Sequence, residues 1–125
     1  MRDGKFVVLC VDDDPDILAT LRMVLEANGY RMVGAQSASE ALARFEEEKP
    51  DLAIVDLMME QVDTGTTLVK MLKDRGASMP IYLLSSVGDE LAEMVDTGAL
   101  GLSGVFQKPL EPRFLLRTLE AKLKA

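Results

Sequence analysis

Short apolar runs alternate along this chain with longer stretches of helical period. The runs fall at residues 6–11, 32–35, 52–55, 81–84 and 105–106. Three of them, Val7-Val8-Leu9-Cys10-Val11, Leu52-Ala53-Ile54-Val55 and Ile81-Tyr82-Leu83-Leu84, are apolar without alternation. A strand covered on both faces has no polar face to show, so the pattern predicts strands of a parallel sheet between helical layers. Between the runs, apolar residues recur at intervals of three and four, the stripe by which a surface helix meets a core. The sets are Ile17, Leu21, Val24 and Leu25; Ala41, Leu42 and Phe45; Leu68, Met71 and Leu72; Leu91, Met94 and Val95; and Leu115, Leu119 and Leu123.

The punctuation agrees with this alternation. Asp14 is placed to cap the first helix, with Pro15 in its first turn, and Asn28-Gly29 to end it. Ser37-Ala38-Ser39-Glu40 has the spacing of a capping box for the second helix. Gly76 and Gly98 are plausible stops, and Glu46-Glu47-Glu48-Lys49 reads as a solvated helix end. Gly98 and Gly101, with Gly104 just beyond, weaken the helical character of residues 88–103. The fourth helix is therefore expected to be short or mobile. Five strand–helix units in succession imply an α/β sandwich with right-handed crossovers. Ligands of such sheets sit at the carboxyl ends of the strands, at the topological switch point.

Length and composition narrow the function. A chain of 125 residues buries about two-thirds of its surface on folding, which suits one domain and leaves no room for a second. We therefore expect a single domain over residues 1–125, with no output domain in the chain. With 48% hydrophobic and 28% charged residues, a packed core is accessible and disorder is disfavoured. Fourteen basic against twenty-one acidic residues give a net charge of −7, which disfavours direct nucleic-acid binding as the main activity. Histidine is absent and Cys10 is the only cysteine. That excludes a histidine zinc site, a Ser-His-Asp triad, a Cys-His pair, an internal disulfide and a phosphohistidine carrier. Cys10 itself, inside an apolar strand, reads as packing. No apolar run reaches the length of a membrane span and no signal-peptide pattern opens the chain, so a cytoplasmic setting is expected.

What chemistry remains must use carboxylates, hydroxyls, lysines or a hard metal ion, and these gather at one edge. Asp12 and Asp13 follow the first strand, Asp56 the third, Ser85 and Ser86 the fourth, and Lys108-Pro109 the fifth. Each has a plain alternative. The aspartates could be a helix-start charge cluster or turn residues, the serines helix caps, and Lys108 a surface lysine. All of those alternatives would have to hold together. The functional reading is a phosphoryl-transfer site. Carboxylates brought together repel, and Mg²⁺ relieves that repulsion with one or two carboxylates, waters and phosphate oxygens. A carboxylate can attack phosphorus to give an aspartyl phosphate, while the metal, an ammonium and a hydroxyl share the charge on the phosphoryl oxygens.

Three segments carry a resemblance. Val7-Val8-Leu9-Cys10-Val11-Asp12-Asp13-Asp14-Pro15, Asp51-Leu52-Ala53-Ile54-Val55-Asp56-Leu57-Met58-Met59 and Gln107-Lys108-Pro109 resemble the receiver domain of two-component response regulators. The likeness runs over essentially the whole chain. It implies a flavodoxin-like (βα)₅ fold, a doubly wound five-stranded parallel sheet in the order 2-1-3-4-5. It implies Asp56 as phosphoacceptor, and Mg²⁺ held by Asp12, Asp13, Asp56 and the backbone carbonyl of Met58. Ser85 matches the switch hydroxyl, Lys108 the phosphate-binding lysine, and the Lys108–Pro109 bond is expected to be cis. The implied phosphoryl donor is a sensor histidine kinase or a histidine phosphotransfer protein. The implied output surface is the fourth helix, fifth strand and fifth helix, which is also where a second copy would pair. Such a chain is a signalling switch that catalyses only its own phosphorylation and dephosphorylation.

The chain departs from the family in places. Glu60 stands where proline is usual and Thr64 where glycine is usual, and the aromatic-switch position is Val105. Phe106 follows it, but alternation should turn Phe106 to the other face. Three further readings compete. A non-phosphorylated pseudo-receiver would use the fold only for docking, against which stands the intact set Asp12, Asp13, Asp56, Ser85 and Lys108. An aspartyl-nucleophile phosphohydrolase would place a second aspartate where this chain has Met58. A flavin mononucleotide-binding protein would find its phosphate repelled by Asp12-Asp13-Asp14.

Overall fold

A computed structural model of the chain describes residues 1–57, 65–86 and 101–124. Strands β1 (Val7–Val11), β2 (Arg31–Ala35), β3 (Leu52–Asp56), β4 (Ile81–Ser86) and β5 (Gly104–Lys108) form one sheet in the order β2-β1-β3-β4-β5. Every neighbouring pair is parallel. The described helices are α1 (Pro15–Ala27), α2 (Ala38–Glu48), α3 (Gly65–Asp74) and the C-terminal α4 (Pro112–Leu123). This is the parallel sheet between helical layers expected from the alternation, in the doubly wound order 2-1-3-4-5 that the resemblance implies.

The unalternating runs are explained by two cores. Successive side chains of a strand point to opposite faces, so each run supplies both. Leu9, Val11, Val55 and Leu83 pack with Leu42 of α2 and with Leu68 and Leu72 of α3. Val8, Cys10, Ile54, Leu84 and Phe106 pack with Leu21 and Leu25 of α1 and with Leu115 and Leu119 of α4. Asp14 caps α1 by accepting a hydrogen bond from the Asp16 amide at 2.9 Å. Ser37 caps α2 through the Glu40 amide. Gly29 and Gly76 leave their helices at φ +88° and +90°, the region that glycine enters without steric penalty.

Several details differ from the sequence pattern. The buried stripe of α1 is Leu18, Leu21 and Leu25, with Ile17 and Val24 flanking it. β4 continues through Ser85, which is therefore a buried strand residue rather than a loop residue. β5 begins at Gly104, where a β-carbon would lie 3.1 Å from the Tyr82 ring. Within β5, Phe106 is buried and Val105 is 37% exposed, on opposite faces as alternation requires. The acidic end of α2 is not simply solvated. Glu48 is largely covered and lies 3.3 Å from Arg2 and 3.7 Å from Arg31, which draws it over the amino edge of the sheet. The fourth helical stretch with Leu91, Met94, Val95 and Gly98, the loop positions Glu60 and Thr64, and Met58 lie outside the described residues.

Candidate functional site

In a sheet of this order, β1 and β3 are the pair at which the chain reverses its direction of travel across the sheet, and a crevice opens beyond their carboxyl ends. Val11 pairs with Val55 in that register, so Asp12 and Asp56 emerge side by side. Asp12 continues β1, its amide donating to the Ala35 carbonyl at 3.0 Å. Its own Oδ1 accepts from the Asp14 amide at 2.9 Å, so the turn that starts α1 also fixes this carboxylate. Asp12 and Asp56 are buried, at 1% and 3% exposure, and Asp13 is half-buried. One oxygen from each of these three carboxylates lies within 4.8 Å of the others.

Lys108, the last residue of β5, reaches back over this crevice. Its Nζ lies 3.0 Å from Asp12 Oδ2 and 3.5 Å from Asp56 Oδ1. Burial alone would lower the affinity of this amine for its proton. The two carboxylates outweigh that effect, and the pKa is raised above the usual lysine value. Lys108 is therefore a firmly held cation. The Lys108–Pro109 peptide bond is cis. Ser85, from β4, is also buried, and its Oγ has no hydrogen-bond partner among the described residues. A buried hydroxyl without a partner carries a desolvation penalty of about 1–3 kcal/mol, which a ligand oxygen arriving at the crevice would relieve.

The donor set fits a hard divalent cation. Three carboxylates and one ammonium leave a net charge of −2, which one such ion balances. Octahedral Mg²⁺ with bonds of about 2.1 Å holds its ligand oxygens about 3–4 Å apart, a small side-chain rotation from the 4.8 Å observed. Of the residues singled out from the sequence, Asp12, Asp13, Asp56, Ser85 and Lys108 lie at or beyond the carboxyl ends of β1, β3, β4 and β5; the three carboxylates are in mutual reach, and Lys108 reaches Asp12 and Asp56. Val105 lies on β5 with its side chain partly exposed.

Two features escaped the sequence. One is that Lys108 sits nearer Asp12 than Asp56. The other is an apolar cavity of about 440 Å³ beside Lys108, lined by Ile17, Thr20, Leu21, Leu84, Pro109 and Leu110. No signal in the sequence pointed to it, because Ile17 fits the helical period of α1 whether it is buried or lines this cavity.

Comparison with known proteins gives a consistent picture. Residues 8–120 match the family model of the response regulator receiver domain. The chain is 32% identical over 117 residues to the alkaline phosphatase synthesis transcriptional regulatory protein PhoP of Bacillus subtilis, covering 94% of this chain and 48% of that protein. It is 35% identical over 123 residues to a probable transcriptional regulator, ycf27, of Guillardia theta, covering 98% of this chain and 46% of that one. The chain thus spans about half the length of these relatives. Among solved structures, the chemotaxis protein CheY4 of Vibrio cholerae superposes with a TM-score of 0.84 at 30% identity, covering 96% of this chain and all of that one. A CheY-like receiver domain protein of Methanospirillum hungatei gives 0.86 at 30% identity, covering 97% and 95%.

Proposed function

The chain belongs to the response regulator receiver family, and we propose on that premise that Asp56 accepts a phosphoryl group in a Mg²⁺-dependent transfer. The observation that carries this reading is the gathering of Asp12, Asp13 and Asp56, with the ammonium of Lys108 held against Asp12 and Asp56. An Asp56 carboxylate oxygen attacks phosphorus of a donor phosphohistidine. The new P–O bond forms as the P–N bond breaks, and the imidazole leaves with the electron pair of that bond. Asp12, Asp13 and Asp56 would hold Mg²⁺, which when bound neutralises charge on the phosphoryl oxygens. The expected fourth protein ligand, the Met58 carbonyl, is outside the described residues. Lys108 moves its ammonium onto one phosphoryl oxygen, and the Ser85 hydroxyl donates to another. Burial of Asp12, Asp56 and Ser85 excludes water and strengthens each of these contacts.

The donor in this reading is a sensor histidine kinase or a histidine phosphotransfer protein, in the cytoplasm. Among the described residues no helix is long and apolar enough to cross a membrane. The chain acts as a switch rather than as an enzyme on a separate substrate. Its output passes through the fourth helical stretch, β5 and α4 to a partner, to a linked domain or to a second copy of the chain. A module used only for docking gives no reason to collect three carboxylates around one ammonium, and that alternative is not supported. Intact mass after incubation with acetyl phosphate and Mg²⁺ tests the proposal. One added phosphoryl group is expected, absent with chelator and absent in Asp56→Asn. A wild-type chain that gains nothing, or an Asp56→Asn chain that still gains it, refutes it.

A further inference from the structure

The sheet has two edge strands, and β2 is one of them. An edge strand offers a row of unpaired peptide groups to any other strand, including the same strand of a second copy. Which groups face outward can be read from the inward ones. The Arg31 amide donates inward to the Phe6 carbonyl, and the Ala35 carbonyl accepts inward from the Asp12 amide. Peptide groups alternate sides along a strand, so those of Tyr30, Met32 and Gly34 face out.

Helix α1 supplies partners for three of them. The Tyr30 amide donates to the Leu25 carbonyl at 3.0 Å. The Met32 amide donates to Glu26 Oε2 at 3.4 Å, and the Met32 carbonyl accepts from an Arg22 guanidinium nitrogen at 3.2 Å. The same Arg22 nitrogen donates to the same Glu26 oxygen at 3.2 Å, which closes a ring of three contacts around Met32. One donor and one acceptor side chain thus occupy the two groups that a neighbouring strand would take. With the Tyr30 amide and both Met32 groups engaged, the middle of the outward row is closed to a neighbouring strand.

We propose that Arg22 and Glu26 form a strap that closes the β2 edge against strand addition by a second copy of this chain. As an exposed ion pair at i and i+4, Arg22–Glu26 adds little to stability. Its consequence is specificity: the chain cannot extend its sheet through β2. This inference is independent of the phosphoryl chemistry.

The test compares the wild type, Arg22→Ala/Glu26→Ala and Arg22→Gln/Glu26→Gln. Sedimentation equilibrium reads association, and amide hydrogen exchange reads the Met32 and Gly34 amides. The alanine pair should associate with rising concentration. Its Met32 amide should exchange roughly fivefold faster when dilute, the equivalent of one lost hydrogen bond, and slow again on association. The glutamine pair keeps a donor and an acceptor without charge, and should stay as monomeric at this edge as the wild type. An alanine pair that folds and does not associate at any concentration would overturn the proposal. Should the alanine pair fail to fold, Glu26→Ala alone decides the matter. A variant that stays monomeric counts against the strap, and concentration-dependent association with faster Met32 exchange when dilute supports it.

Discussion

Neutralising Asp13 should make the chain more stable without metal and less stable with it. Oxygens of Asp12, Asp13 and Asp56 lie within 4.8 Å of one another. Two unit charges at that distance repel by about 0.9 kcal/mol in water and about 3.5 kcal/mol at an effective dielectric of 20. Asp13→Asn removes two of the three pairs, a gross relief of about 2–7 kcal/mol. Asp13 is half-buried, so solvent screens it. A net gain of about 1–2 kcal/mol in chelator is the reasonable expectation, or roughly 4–8 °C in melting temperature. Saturating Mg²⁺ acts in the opposite direction. A native-state ligand at a hundredfold excess over its dissociation constant stabilises by about 2.7 kcal/mol. The wild type should gain nearly all of that, and the asparagine variant, short of one ligand charge, only a small part. The two melting curves should therefore exchange order between chelator and Mg²⁺. Thermal melts of both proteins under both conditions provide the assay. A wild type that melts at the same temperature with and without Mg²⁺ refutes the metal site. An Asp13→Asn chain that is less stable in chelator refutes the repulsion argument even if metal binds.

Other consequences can be checked separately. Cys10 is wholly buried and its thiol is pushed up to about 12 by that burial, so the native chain should resist alkylation at pH 8 and react only on unfolding. Labelling of the native chain at the rate of a free thiol would contradict this. Phe106 is 1% exposed, with its ring 5.0 Å from that of Tyr82 and 5.6 Å from that of Phe114, so Phe106→Ala should cost about 3–5 kcal/mol in denaturant unfolding. A loss below about 1 kcal/mol would mean this part of the core is not set by the ring. Gly104→Val forces a side chain against the Tyr82 ring and should destabilise by about 1–3 kcal/mol, with unfolding in urea as the measure.

The fold was legible because burial on both faces leaves a plain mark. Val7 to Val11 and Leu52 to Val55 have no polar residue to spare for solvent, and only a sheet between two helical layers accepts such strands. What escaped were details set by packing across elements. In α1 the buried set includes Leu18, while Ile17 turns aside to line the cavity next to Pro109 and Leu110. Both choices fit the same helical period, so only the neighbouring β5–α4 connection decides between them. Glu48 was misread as solvated because its partners, Arg2 and Arg31, are remote in sequence. Long-range ion pairs leave no period.

The site shows the same division. That reactive groups would meet at one edge follows from strand order alone, since every parallel strand delivers its carboxyl end to the same side. Which carboxylate would hold Lys108 does not follow. The first strand is separated from β5 by β3 and β4, yet the ammonium lies closer to Asp12 on β1 than to Asp56 on β3. The reason is local. The Asp14 amide takes Asp12 Oδ1, leaving Oδ2 turned toward the crevice. The lysine stem is long enough to span the intervening strands. In this arrangement Lys108 offsets one of three negative charges and is shared between the oxygens that would hold a metal and the oxygen that would attack phosphorus. Phosphorylation would convert the Asp56 carboxylate into an acyl phosphate of about −2, taking the site from −2 to about −3, more than the lysine and one monovalent ion could balance. In the proposed reaction, charge balance therefore favours a divalent cation beside the phosphoryl group.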